Sequence, residues 1–166
     1  MFMKKQWMIF IWMIPAALLL YSFFMFKRSA RPQMPLLRFL LPDSSQLWTN
    51  NVPEGKPSVL IFFSPDCDHC QRETKSIVEN IDSMRNVNLF FITVDPFDRM
   101  KLFNEVYQLY RYQNIVVGRD YPFLFPYYFK NVQPPCNVIY DSHKRLEAIL
   151  PKEANAHELL SYLNKL

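Results

Sequence analysis

The run Phe62-Phe63-Ser64-Pro65-Asp66-Cys67-Asp68-His69-Cys70-Gln71-Arg72-Glu73 carries an apolar strand straight into a Cys-x-x-Cys motif that opens an amphipathic helix. A helix N-terminus leaves backbone N–H groups without intrahelical acceptors and carries about half a positive charge, so a thiolate is favoured there over a thiol. Cys67 is therefore expected to ionise more readily than a free cysteine, with Cys70 one helical turn further on. Two sulfurs so spaced can close a small disulfide ring: the first attacks a foreign disulfide and the second resolves the mixed intermediate. A structural disulfide or half of a metal site is the competing explanation, and the strand-to-helix context argues against both.

The elements that must hold this pair alternate along the chain. Leu36–Leu41 is a short apolar strand or lead-in, followed by loops at Pro42-Asp43-Ser44 and Pro53-Glu54-Gly55-Lys56-Pro57. Val59–Phe63 is a continuous apolar run, as in a central strand buried on both faces. A helix is expected from Cys67 to about Ser83, with Ile77 and Ile81 facing a sheet, then a buried strand over Val87–Val94. Leu102, Phe103, Val106 and Leu109 fall at helical spacing within Phe97–Tyr110 and predict a second helix. Ile115–Val117 reads as a short strand and Phe123–Phe129 as an aromatic helix interrupted at Pro126. Cys136–Tyr140 and Leu146–Leu150, joined by Asp141-Ser142-His143-Lys144, form a hairpin pattern, and His157–Leu166 a closing helix. This order predicts an α/β sandwich around a mixed sheet.

From Trp7 to Phe26 the chain is apolar except for Tyr21 and Ser22. About 20 such residues make ~30 Å of helix, the thickness of a bilayer's hydrocarbon core. Trp7, Trp12 and Tyr21 suit the two interfaces, and Lys27-Arg28 stands where a cleaved signal would carry small residues, so an uncleaved anchor is expected. The basic residues on the two sides nearly balance; an oxidising compartment for the dithiol favours placing the domain outside the cytoplasm. Residues 1–28 are then a cytoplasmic tip and anchor, 29–35 a basic tether and 36–166 one domain. The net charge of +4 comes largely from the flanks of the anchor, so no nucleic-acid surface is expected. Nothing in the composition calls for a cofactor or a resident metal.

Val59–Glu73 together with Val132-Gln133-Pro134-Pro135-Cys136-Asn137-Val138-Ile139-Tyr140-Asp141 resembles the thioredoxin superfamily, and within it the membrane-anchored TlpA/ResA-like thiol:disulfide oxidoreductases. The resemblance covers most of 36–166 and implies a thioredoxin-like sandwich, protein dithiol or disulfide substrates, an upstream thiol electron donor and a bacterial inner-membrane location facing the periplasm. It implies a cis-proline loop before the hairpin, packed on the dithiol. Counting back from Asp141 assigns the cis residue to Pro135, with Pro134 the alternative. Glu73 matches the acid of a Cys-x-x-Cys-x-x-Glu pattern, where a partly buried carboxylate can take and return the resolving thiol's proton. Ile61 occupies the position of thioredoxin's buried aspartate, which leaves Glu73 as the proton-handling candidate.

Pro134 departs from the family pattern, because the residue before the cis-proline usually pairs its backbone with the substrate and proline has no N–H. Asp68 and His69, with Pro134 and Pro135, are the candidate substrate platform. His69 resembles the histidine that stabilises the thiolate in oxidising family members, while Asp66 and Asp68 oppose it, so an intermediate potential is expected. Cys136 fits a buried strand residue, with a reactive thiol near the pair as the alternative. His143 and His157 are expected on the surface, and Tyr121–Phe129 in the core, an apolar substrate rim being its alternative.

Two further functions share these residues. Ser64-Pro65-Asp66-Cys67 has the Ser-x-x-Cys spacing of a peroxiredoxin-like peroxidase but lacks that motif's earlier proline. A copper chaperone would use Cys67, Cys70 and a histidine as soft ligands, although that family spaces its cysteines one residue wider.

Overall fold

The computed structural model describes Pro15 and residues 18–22, 31–130 and 132–166. Among these no helix is long and apolar enough to cross a membrane. The expected anchor, Trp7–Phe26, lies outside the described residues except for Pro15 and 18–22, which are helical. Gln33–Leu166 is one compact unit. It starts inside the stretch expected to be tether: Gln33 bridges Arg145, and the Met34 N–H donates to the Lys144 carbonyl at 2.9 Å.

Seven strands form one mixed sheet in the order β2-β1-β5-β4-β3-β6-β7. They are β1 (Arg38–Leu40), β2 (Gln46–Trp48), β3 (Ser58–Phe62), β4 (Asn88–Thr93), β5 (Ile115–Arg119), β6 (Cys136–Tyr140) and β7 (Leu146–Leu150). The helices are α1 (Asp68–Glu79), α2 (Phe97–Val106), α3 (Leu124–Phe129) and α4 (Ala156–Leu163). β3, β4 and β5 run parallel, joined through α1 and α2, while β6 lies antiparallel on the other side of β3.

All five residues of β3 are buried, which explains its unbroken apolar run. Strand alternation sends Val59 and Ile61 into one core with Ile77, Met100, Phe103 and Leu159. Leu60 and Phe62 enter the other, with Phe39, Phe125 and Val138. Each such side chain contributes about 1.5–3 kcal/mol by leaving water. β5 is drawn tightly against β1 at Gly118, where a Cβ would stand 2.6 Å from that of Phe39.

Several local expectations change. α1 stops at Glu79, and Ile81–Met84 turns as a 3-10 helix instead of continuing to Ser83. On α2, Met100 and Phe103 face the sheet, whereas Leu102 and Val106 are 60% and 64% exposed. Phe103 and Leu109 of the spaced set are buried, and packing turned Met100 inward in place of Leu102 and Val106. β2, a strand not expected between the two loops, exists because Arg38–Leu40 supplies a partner for Gln46–Trp48. α3 runs unbroken through Pro126, since a first-turn residue needs no N–H and the Asp120 carboxylate accepts the Leu124 and Phe125 N–H groups at 3.0 and 2.6 Å. Of the Tyr121–Phe129 stretch only Phe125 is fully buried; Tyr121, Phe123, Tyr127 and Tyr128 are exposed, correcting the core assignment.

Candidate active site

β3 delivers the chain to the dithiol. The Phe63 N–H still pairs with the Ile92 carbonyl at 2.9 Å, and Ser64-Pro65-Asp66 then turns so that the Cys67 N–H meets the Ser64 carbonyl at 3.1 Å. Gln71 Nε2 donates to the Pro65 carbonyl at 2.8 Å and ties this turn to α1. Cys67 is the N-cap of α1, its Sγ accepting the Cys70 N–H at 3.4 Å. The charge-stabilising end of the helix is thus aimed at that sulfur.

The two thiols have different surroundings. Cys67 is half-buried, whereas Cys70 is 2% exposed. Burial pushes the Cys70 thiol far above the usual range, the adjacent Cys67 sulfur adds to this, and Cys70 keeps its proton. Across the site the Pro134–Pro135 peptide is cis, so Pro135 is the cis residue. The Pro134 carbonyl faces Cys67 Sγ at 4.0 Å.

One turn beyond Cys70, Glu73 is 1% exposed, and neither carboxylate oxygen has a hydrogen-bond partner among the described residues. Burial pushes its pKa up to about 7, opposed by the nearby Asn137 amide and Ala154 N–H. Asn137 is fully buried on β6; its Nδ2 donates to the Lys152 carbonyl at 3.4 Å, while Oδ1 has no partner. A carboxyl whose pKa burial raises to about 7 therefore lies one helical turn from a buried thiol, an arrangement suited to passing a proton between the two.

No protein-family model and no curated protein sequence matches the chain. Solved structures do. A thiol:disulfide interchange protein of the thioredoxin family from Chlorobium tepidum is 15% identical over 81% of this chain and 95% of that one, with a TM-score of 0.68. A secreted Mycobacterium tuberculosis disulfide oxidoreductase homologous to E. coli DsbE is 19% identical over 78% and 96%, with a TM-score of 0.65. A peroxiredoxin-like protein from Aquifex aeolicus is 18% identical over 81% and 85%, with a TM-score of 0.65. The chain has a thioredoxin-like fold.

Within that fold Cys67, Cys70, Glu73, Pro134 and Pro135 converge on one end of the sheet. Cys136 does not join them. It is fully buried and points with Val138 and Tyr140 into the core on the opposite face from Cys70. Burial first, and the Glu73 charge second, push its thiol up to about 11. His143 and His157 are exposed.

The charges around Cys67 are arranged in ways the sequence did not reveal. Asp66 forms an ion pair with Arg99 of α2, with both side chains exposed. His69, exposed like Asp68, is held by Glu153 from the loop after β7, with Nδ1 2.6 Å from Oε2. Arg72 binds the same carboxylate through both Nε and Nη2, at 3.1 and 2.7 Å. Glu153 is 81 residues from Arg72, and no local pattern joins them; Arg72 itself was visible as a cation one turn from His69. Among the described residues no cluster of three His, Cys, Asp or Glu side chains is disposed to hold a metal ion.

Proposed function

We propose that the chain is a membrane-tethered thiol:disulfide oxidoreductase that exchanges its Cys67–Cys70 disulfide with proteins outside the cytoplasm. The observation that carries this reading is the asymmetry of the pair: Cys67 half-exposed under the Cys70 N–H, and Cys70 buried one turn before the buried Glu73. In the reducing direction Cys67 thiolate attacks a substrate disulfide; a Cys67–substrate S–S bond forms and the other substrate sulfur leaves as a thiolate. Cys70 then passes its proton towards Glu73 and attacks Cys67 Sγ, forming the internal disulfide and releasing the second substrate sulfur. Two electrons have moved to the substrate, and an upstream thiol donor returns them. The oxidising direction is the same path reversed.

Pro134 and Pro135, with the exposed Asp68 and His69 beside Cys67, form the substrate platform. Pro134 can only accept a hydrogen bond from a docking strand, so side-chain contacts carry more of the recognition than in a platform that also donates. The apolar run Trp7–Phe26 supports tethering to a bacterial inner membrane, and the redox chemistry supports a periplasmic domain, where disulfides persist.

The test is equilibration of the full chain, in detergent, with glutathione buffers, reading the pair by thiol alkylation and mass beside a Cys67→Ser control. A reversible two-electron couple is expected. A potential near −270 mV marks a reductant and one near −120 mV an oxidant. A pair that never forms a disulfide, and that Cu(I) protects from alkylation, would replace this reading with metal transfer. Tethering predicts that Cys67 in intact spheroplasts reacts with a membrane-impermeant maleimide; protection until lysis would overturn the orientation.

A further inference from the structure

The face of α2 that the sheet leaves uncovered carries apolar side chains where a surface helix ordinarily carries polar ones. Leu102 and Val106 stand one turn apart there, 60% and 64% exposed. The turn that leads into Cys67 runs past them, and a groove of about 260 Å³ opens between the two. Leu102 and Val106 come from α2, Pro65 and Asp66 from the turn and Gln71 from α1, with the buried Phe103 beneath.

The walls are fixed from both sides. Gln71 Nε2 donates to the Pro65 carbonyl at 2.8 Å, and the Asp66–Arg99 ion pair joins the turn to α2. Phe103 lies against the buried Phe63 with ring centroids 4.4 Å apart, and Tyr107 against Phe103 at 4.6 Å. A groove built in this way exists before a substrate arrives, so filling it orders little of the protein. Among the described residues its only charged groups are Asp66 and Arg99, which pair with each other. An uncharged apolar side chain therefore gains by entering, whereas a charged one would lose water without gaining a partner.

Position supplies the occupant. Asp66 directly precedes Cys67, and consecutive Cα atoms are ~3.8 Å apart, so one wall of the groove begins a single residue from the nucleophile. During exchange the substrate sulfur is bonded to Cys67 Sγ, which pins the residues flanking the substrate cysteine over this region. An extended segment advances about 3.3 Å per residue, which brings a side chain about two to four positions from that cysteine to the groove. Pro134 cannot donate to such a segment, which leaves more of its recognition to contacts of this kind.

We propose that the groove between the Ser64–Asp66 turn and α2 is a specificity pocket that takes an apolar side chain of the protein substrate close to the cysteine attacked by Cys67. The inference rests on the oxidoreductase reading and names the class of substrate segment, extended and uncharged with a leucine-like or phenylalanine-like residue near its cysteine.

The probes are disulfide-linked homodimers of a short alanine-based peptide, with leucine, serine or aspartate three residues before or after its cysteine. Reduced full chain in phospholipid nanodiscs converts each dimer to two peptide thiols. The Cys67–Cys70 dithiol gives up two electrons and two protons and becomes the disulfide. Single-turnover rate constants at pH 7 are expected to favour leucine over serine by about tenfold at one of the two placements, with aspartate no better than serine. In Leu102→Ser/Val106→Ser that ratio is expected to fall below threefold, and each single variant to at least halve it, whereas Leu36→Ser, exposed elsewhere on the domain, keeps it. Circular dichroism melts accompany each variant. A wild-type ratio under twofold, a ratio above threefold in the double variant, or an equal fall in Leu36→Ser overturns the proposal. A dimer of the chain, seen by light scattering and dissociated by Leu102→Ser, would give the groove to a second copy and also overturn it. Wild type that reduces every dimer without discrimination overturns this inference alone, whereas wild type that reduces none overturns both readings.

Discussion

Replacing Glu73 by glutamine is expected to stabilise the protein above pH 7 and to leave its stability unchanged in acid. Glu73 ionises at the ordinary 4.5 in an unfolded chain but only at about 7 in its buried site. Between those values the folded state retains a proton that the unfolded state has lost, so stability falls as pH rises through the interval. The gap, at 1.36 kcal/mol per pH unit, amounts to roughly 3 kcal/mol, lost in full once the pH passes the folded value. Glutamine is close in shape to the protonated acid and carries no charge to desolvate. Urea titrations of wild type and Glu73→Gln, under reducing conditions and followed by far-ultraviolet circular dichroism, should therefore coincide within about 0.5 kcal/mol at pH 4. At pH 8.5 they should differ by roughly 3 kcal/mol in favour of the variant. A difference independent of pH, or a variant weaker than wild type at pH 8.5, would refute the argument. With Glu73 as the proposed acceptor of the Cys70 proton, the same substitution should slow resolution of a Cys67 mixed disulfide by about a hundredfold. The two outcomes together would mark Glu73 as a group that costs stability and is kept for chemistry.

Cys70→Ser should accumulate a covalent Cys67–substrate adduct, visible by mass and released by dithiothreitol; recovery of free Cys67 at the wild-type rate would remove Cys70 from the resolving role. Asp141 is 1% exposed and accepts the His143 and Arg145 N–H groups at 2.8 and 2.9 Å and Arg145 Nε at 2.9 Å. Burial acts to raise its pKa, but these hydrogen bonds outweigh it and hold the carboxyl below 3.8. Its contribution is present above 3.8 and is lost as pH falls through the lower folded value. Asp141→Asn should cost about 2 kcal/mol at pH 7 and progressively less in acid, a pattern that chemical unfolding at several pH values would test. Gly118→Ala places a methyl 2.6 Å from Phe39 Cβ and should cost about 1–3 kcal/mol; an unchanged melting temperature would mean that β1 yields without penalty.

Much of the site was legible because its signals are local. An apolar run ending in Ser-Pro-Asp-Cys-x-x-Cys can be read as strand then helix start, since burial on both faces and N-terminal capping each leave a pattern within a few residues. Hairpin β6–β7 was legible for the same reason, two apolar runs about a polar turn. β2 was not, because three residues become a strand only when β1 lies beside them. Leu102 and Val106 show the limit of periodicity: they share helical spacing with the buried Phe103 and Leu109, yet packing left them exposed and turned Met100 inward.

The sequence by itself determined which residues could do the chemistry, Cys67, Cys70 and Glu73, because their spacing on one helix sets their mutual placement. Tertiary structure alone decided what surrounds them. Strand parity turned Cys136 away from the dithiol, burial beside Asn137 moved the Glu73 carboxyl towards neutrality, and chain closure brought Glu153 to Arg72 and His69 and Arg99 to Asp66. Electrostatic energy depends on distance and solvent exposure, and for residues far apart along the chain both are undefined until the fold exists.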